Sequence, residues 1–311
     1  MDEFLTVFTP TYNRVDLLSK LYQSLCSQND KQFVWLIVDD GSNDKTSEIV
    51  EKWIAQKKIK ITYVYQENAG KHAAHNRGVE LCQTDLFMCV DSDDYLRPNA
   101  VGIIHSYWNE DCLSHENFIG YCTKRGGSNF QINEASVNWP KENKLVYTFD
   151  LGNKYKYRGE TALIWITNEL KKYKFPVIKG EKFVTEIVLY FQFQKPMKVK
   201  NDVFYLFHYQ PDGYTNQGFK LMAYNPIGTA IMFKYLYLSD HFFVKRFKEK
   251  LKYYAWIKCC GIKENTIEEI IRGLMLPPNK VEYQIFDFLT KPMGYISSFI
   301  FRRKFEKLND R

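Results

Sequence analysis

Residues 33–42 read Phe33-Val34-Trp35-Leu36-Ile37-Val38-Asp39-Asp40-Gly41-Ser42. Six apolar residues run without a polar break, and two carboxylates, a glycine and a serine follow. A run of that length with no alternation predicts a strand buried on both faces, ending in a turn at the sheet's edge. The same pairing recurs on either side. Phe4–Thr9 leads into Pro10-Thr11-Tyr12-Asn13-Arg14, and Ile59–Tyr65 into Gln66-Glu67-Asn68-Ala69-Gly70-Lys71. Leu86–Val90 leads into Asp91-Ser92-Asp93-Asp94. Between these strands the apolar residues take helical spacing: Leu17, Leu18, Leu21, Tyr22 and Leu25, then Ile49, Val50, Trp53 and Ile54 within Asp44–Ile54, then Ala73–Cys82. Strands alternating with helices predict βαβ units, hence an α/β fold with a mainly parallel, Rossmann-like sheet flanked by helices. Ligands of such sheets bind beyond the carboxyl ends of the strands, so all four polar clusters are expected at one edge. One cluster alone reads as a turn with a helix cap. Four in phase read as a site.

The chain has 311 residues, enough for one large domain or two unequal ones. Hydrophobic residues at 45% and charged residues at 25% are globular values that exclude wholesale disorder. Aromatics reach 16%, which hints at ring-lined grooves or interfaces. The seven cysteines include no CxxC pair, so reduced thiols in a cytoplasmic protein without a zinc site are expected. The N-terminal residues lack the basic start and apolar stretch of a secretory signal, and no apolar run is long enough to span a bilayer. The net charge of +7 is uneven: residues 221–311 hold 16 basic and 9 acidic side chains, whereas the first 220 hold 27 of each. A neutral body argues against nucleic acid. A basic tail region favours peripheral contact with an anionic membrane.

After Pro98 the pattern loosens, and residues 123–157 read as an irregular excursion. Regular structure is expected again as a strand at Glu160–Thr167, helices at Asn168–Tyr173 and Lys182–Gln192, and a strand at Val203–Tyr209. From Lys220 the chain reads as helices broken at Gly261, Pro277-Pro278 and Pro292-Met293-Gly294. The expected division is an α/β domain over 1–219, in two halves at 1–100 and 101–219, followed by a helical, basic, aromatic-rich extension over 220–311.

Asp91 and Asp93 flank a bend at i and i+2, where both can offer oxygens to one hard cation such as Mg2+ or Mn2+. That suits a diphosphate leaving group, whose developing charge a metal neutralises. Asp39 and Asp40 are placed to accept donors of a ribose or pyrimidine, and Tyr12 offers a ring to a base. Lys71, His75 and Arg77 bring positive groups suited to phosphate oxygens. His72 and His75 at i,i+3 equally form a possible metal pair, with no third ligand beside them. An aspartyl-nucleophile phosphatase would carry its Asp after the first strand, not the fourth. Neither GxGxxG after a strand nor GxxxxGK[ST] occurs, so dinucleotide and P-loop modes are unsupported.

Phe8-Thr9-Pro10-Thr11-Tyr12-Asn13-Arg14, Val38-Asp39-Asp40-Gly41-Ser42-Asn43-Asp44 and Val90-Asp91-Ser92-Asp93-Asp94, in this order and spacing, resemble the family 2 glycosyltransferases of bacteria over about residues 3–215. The resemblance implies a GT-A fold. Pro10, Tyr12 and Asp40 match positions that hold the nucleotide base and ribose, with Asp39 beside them, and Arg14, Asn68 and Ser92 lie in the same clusters. Asp91 and Asp93 match the metal-binding DxD. The family's Ala-Arg-Asn-x-Gly stretch reads Ala74-His75-Asn76-Arg77-Gly78 here, so Lys71 or Arg77 would replace the usual arginine contact. Glu186, with Glu181 second, matches the acidic base at the start of a later helix. His208, in His208-Tyr209-Gln210-Pro211-Asp212-Gly213, is the candidate third metal ligand.

What this implies is an inverting transfer from a UDP-sugar, with Mn2+ or Mg2+, to a hydroxyl of a glycan, lipid-linked or protein-linked acceptor in cell-surface polysaccharide or glycoconjugate synthesis. The alternatives are a sugar nucleotidyltransferase, for which Pro10–Arg14 lacks the glycines, and a donor-binding but inactive partner subunit. Residues 290–305 end in Arg302-Arg303-Lys304 after an aromatic run. They read either as an interfacial helix on a membrane or as a surface packed on the catalytic domain or a second subunit.

Overall fold

The computed structural model describes residues 3–127, 138–207, 214–239, 243–278 and 285–309. The chain divides into two compact units, residues 1–172 with 195–210, and residues 173–194 with 211–311.

Among its described residues the first unit holds ten strands: β1 (Leu5–Thr11), β2 (Phe33–Asp39), β3 (Lys60–Tyr65), β4 (Leu86–Cys89), β5 (Tyr95–Leu96), β6 (Gly120–Gly127), β7 (Leu145–Val146), β8 (Thr161–Ile166), β9 (Met197–Val199) and β10 (Tyr205–Phe207). They form one sheet in the order β3-β2-β1-β4-β8-β6-β10-β5, with β9 on β6 and β7 on β9. The first four strands are mutually parallel, as the βαβ pattern requires, and β8 enters antiparallel between β4 and β6. The crossings are α1 (Val15–Cys26), α2 (Thr46–Gln56) and α3 (Lys71–Leu81), followed by α4 (Ala100–Glu110), α5 (Thr148–Asn153) and α6 (Thr167–Leu170).

The central strands are buried on both faces, which is why they read as unbroken apolar runs. Edge strand β3 is half-exposed and alternates instead. Under the sheet, Trp35 and Trp53 stack with Tyr22, and the Trp35 indole N–H donates to Thr9 Oγ1 at 3.0 Å, so the ring's polar atom is satisfied in the core. Pro10 sits where a missing N–H costs least. Val90 N donates to Phe8 O, so Phe8 and, by alternation, Pro10 face β4, and β4 ends at Cys89. The sheet therefore opens between β1 and β4 at the edge where the clusters lie. Gly78 brings α3 onto β1: a Cβ there would lie 2.3 Å from the Phe8 ring.

The second unit is helical: α7 (Ile187–Tyr190), α8 (Tyr214–Tyr224), α9 (Pro226–Ser239), α10 (Phe243–Cys259), α11 (Glu264–Ile271), α12 (Ile285–Ile296) and α13 (Phe299–Asn309). Its core is built round Trp256, ringed by Phe219, Phe233, Phe301 and Phe305, with the indole N–H donating to Pro226 O at 2.8 Å.

Three expectations differ from the structure. Residues 123–157 are not irregular throughout, because β6 runs to Gly127 between β8 and β10 and α5 occupies Thr148–Asn153. The helix expected over Lys182–Gln192 shrinks to Ile187–Tyr190, because Lys182 N and Phe183 N bond to Asn225 Oδ1 instead of entering a helix. The break expected at Pro292-Met293-Gly294 is absent. Helix α12 runs through it, and Gly294 lies flush on α10, where a Cβ would meet Tyr254 Cβ at 2.5 Å. Close packing there overrides the local preference.

Candidate active site

Four loops leave the carboxyl ends of β1 to β4, and side chains lace them together. Asn13, at φ 51°, donates its N–H to Ser42 Oγ at 2.9 Å and accepts from Asn43 N at 2.8 Å through Oδ1. Asp44 accepts from Val15 N at 3.2 Å and from Thr46 N at 3.0 Å. The Tyr12–Arg14 stretch and the Gly41–Asp44 stretch are thus one stitched surface, with the Tyr12 ring left 47% exposed.

Both carboxylates after β2 are buried and occupied. Asp39 accepts from Ser42 N at 2.8 Å and from the Tyr63 hydroxyl at 2.6 Å. Asp40 accepts from Gln66 Nε2 at 2.7 Å, Ala69 N at 2.9 Å and Gly70 N at 2.7 Å, and so fixes the loop that starts α3. Gly41, at φ +88°, lets that loop close, since a Cβ would sit 2.8 Å from Asn68 N. A carboxylate has about four acceptor positions, so these bonds use two on Asp39 and three on Asp40.

Of the three positive groups expected at this edge, Lys71 reaches it. Its ammonium pairs with Asp91 Oδ1 at 2.8 Å. His75 does not serve as a cation: it packs edge-on against Phe8 and Phe87, and burial, with Lys71 adding to it, pushes its imidazole down to about 3. His72 is buried and lowered for the same first reason. Arg77 turns outward to Glu80, at 2.8 Å.

At the end of β4 the acids differ in charge balance. Burial pushes Asp91 up, but Lys71 and Arg125 outweigh it and hold the carboxyl below its ordinary value. Asp93 is pushed up by burial and then by Asp91. Asp94, almost fully buried, is pushed up to about 7 by burial, with Asp91 adding and Arg125 opposing. Sequence reasoning missed the group that organises this corner. Arg125, on β6, stacks on the Tyr205 ring at 3.9 Å and places Nη1 at 3.6 Å from Asp94 and 4.0 Å from Asp91. The Tyr205 hydroxyl donates to Asp94 Oδ2 at 2.9 Å and accepts from Asp91 N at 3.0 Å. The only sequence signal for Arg125 was its place in a strand that its polar composition hid.

Among the described residues no three His, Cys, Asp or Glu side chains gather as a metal-ligand set. Asp91 and Asp93 are nevertheless two carboxylates of the oxygen-donor type that a hard divalent cation takes while completing its shell with phosphate oxygens and water. His208 lies outside the described residues.

The glutamates of the second unit part ways. Glu181 is buried, and its two oxygens accept from Ile227 N at 2.7 Å and Gly228 N at 2.8 Å at the start of α9. Glu186 stands half-buried immediately before α7. Segment 173–194, which carries both, belongs with the C-terminal helices rather than with the sheet.

The family description Glycosyl transferase family 2 matches residues 6–164, just over half of the chain. The chain belongs to glycosyl transferase family 2. Glycosyltransferase GlyG of Streptococcus pneumoniae serotype 4 is 28% identical over 151 residues, which cover 44% of this chain and 48% of that protein. Glycosyltransferase GlyA of the same strain is 33% identical over 105 residues, 34% of this chain and 15% of GlyA. The chain thus spans less than half the length of either relative. The fold is that of S. aureus TarS 1–349 in complex with UDP, at TM-score 0.57 and 16% identity over 98% of this chain and 92% of that one. It is also that of the mannosyltransferase PcManGT from Pyrobaculum calidifontis in complex with GDP-Man and Mn2+, at TM-score 0.53 and 14% identity over 99% and 88%. Among the described residues no helix is long and apolar enough to cross a membrane.

Proposed function

We propose that this family 2 chain is an inverting, metal-dependent transferase that moves a sugar from a UDP-sugar to a hydroxyl of a glycan, lipid-linked or protein-linked acceptor in cell-surface polysaccharide or glycoconjugate synthesis. The observation that carries the reading is the meeting of Tyr12, Asp39, Asp40, Lys71 and Asp91 at the carboxyl ends of neighbouring strands β2, β1 and β4. Tyr12 offers its exposed ring to the base, and the spare acceptor positions of Asp39 and Asp40 face the ribose and uracil donors. Asp91 and Asp93 would hold Mn2+ or Mg2+, which supplies charge neutralisation to a departing diphosphate. Lys71 is near enough to exchange Asp91 for a phosphate oxygen. Glu186 takes the proton from the acceptor hydroxyl, a role worth about 10²–10⁴ in rate. Glu181 keeps a structural role, since both its oxygens already cap α9. Work at the cytoplasmic side, with a peripheral hold on an anionic membrane, agrees with the basic C-terminal third.

Release of UDP from UDP-glucose, UDP-galactose and their N-acetylated forms, with Mn2+, Mg2+ or chelator, tests the reading. Turnover of at least one donor that stops on chelation is expected. No turnover with any donor, despite tight UDP binding, would favour the inactive partner subunit.

A further inference from the structure

Helices α12 and α13 present two unlike faces. Leu289, Met293, Ile296 and Ile300 follow at steps of four, three and four residues, the spacing of one helix face, and all four are exposed, Ile296 at 74%. Phe299 is exposed beside them. The winding carries across Ser297-Ser298, where Ser297 N donates to Met293 O at 2.9 Å and Arg302 N to Ser298 O at 3.1 Å. The opposite face is packed: Thr290 and Ser298 are buried, Gly294 lies on α10, and the Phe301 and Phe305 rings lie 5.1 and 5.6 Å from Trp256. Residues 290–305 thus pack one face within the C-terminal helices themselves and leave the other exposed. On the outward face the same spacing continues into Arg303 and Lys307, both exposed, and the Arg303 guanidinium lies 5.9 Å from the centre of the Phe299 ring, whereas the Lys304 ammonium leans over Phe219 on the packed side.

We propose that this outward face is a docking surface for an anionic lipid bilayer. The apolar stretch would enter the boundary between headgroups and acyl chains, and the cationic end would meet the headgroup phosphates. The charge of the region selects this occupant. Residues 221–311 carry 16 basic and 9 acidic side chains, a surplus that attracts a negative surface. Arg303 and Lys307 close the apolar stretch with positive charge at one end, which suits a negatively charged surface. The inference deepens the peripheral-membrane part of the proposed function and names the surface that performs it.

The test is co-sedimentation of the purified full chain with phosphatidylcholine vesicles, with and without phosphatidylglycerol, at low and high salt. Binding to the anionic vesicles that weakens with salt is expected. The combined change Met293→Ser, Ile296→Ser and Ile300→Ser should lower the partition coefficient about tenfold or more, with an unchanged melting temperature. Arg303→Glu and Lys307→Glu together should abolish the preference for anionic vesicles. No binding at low salt, or binding that survives the serine changes, overturns the proposal. So does concentration-dependent self-association of the wild type that the serine changes remove, which would make the face a contact between copies. UDP release is measured separately without vesicles. Vesicle binding without turnover would sink the transferase reading alone, and turnover without vesicle binding would sink the docking surface alone.

Discussion

The glutamates show how one residue type divides between folding and chemistry. Glu181 satisfies two backbone N–H groups at the start of α9. Glutamine can accept only one of them, so Glu181→Gln should cost about 1–3 kcal/mol, read as a lower melting temperature. Glu186→Gln should leave the melting temperature and UDP affinity in place and lower turnover by about 10²–10⁴, read in a UDP-release assay. Loss of donor binding instead would make Glu186 structural. His75 gives a pH signature. Its imidazole is held neutral down to about 3, against 6.5 for the free side chain. A depressed pKa contributes stability that is present above 6.5 and lost as pH falls below it, because the unfolded chain takes up the proton first. Between pH 7 and pH 5 this one group should cost about 2 kcal/mol of unfolding free energy, and His75→Asn should remove that part of the loss in denaturant titrations. The sequence identified these residue types and their clustering but not their partners. Nothing in Asp39-Asp40-Gly41-Ser42 reveals that both acids already accept from backbone and side-chain donors. Likewise, the departure from the family at His75 is legible as a residue, but its neutrality depends on rings brought in by β1 and β4.

At the scale of elements, the parallel strands and their helices were legible because burial on both faces leaves an unbroken apolar run, and the crossover helices repeat at 3.6 residues. Strand β6 was not legible. Its Thr123, Lys124 and Arg125 look like loop, and they become strand because β8 and β10 pair on either side. Arg125 is then fixed against Tyr205, with its charge shared by Asp91 and Asp94. Arg125→Met should cost about 3 kcal/mol by leaving those carboxylates undercompensated, and Arg125→Lys should restore only part of it, in equilibrium unfolding. The loop after β2 makes a second element-scale case. Gly41→Ala forces a side chain onto Asn68 at positive φ, so it should destabilise by about 1–3 kcal/mol and weaken UDP binding in parallel. An unchanged melting curve would show that the two loops are not packed as described.

For the whole molecule, a division at residue 219 follows the sequence's change in composition, whereas the packing gathers Tyr173–Gln194 with the C-terminal helices. Composition cannot reveal this, since the tie is made by Glu181 and Asn225, two polar residues whose bonds join distant segments. In the proposed function Asp91 and Asp93 would seat a metal that the donor diphosphate shares. The most direct measurement is calorimetric titration of UDP into the wild type and Asp93→Ala, each with Mn2+ and with chelator. The wild type should bind UDP markedly more tightly with Mn2+, and Asp93→Ala should lose that gain while keeping its melting temperature. A metal-dependent gain that survives Asp93→Ala unaltered would contradict the assignment.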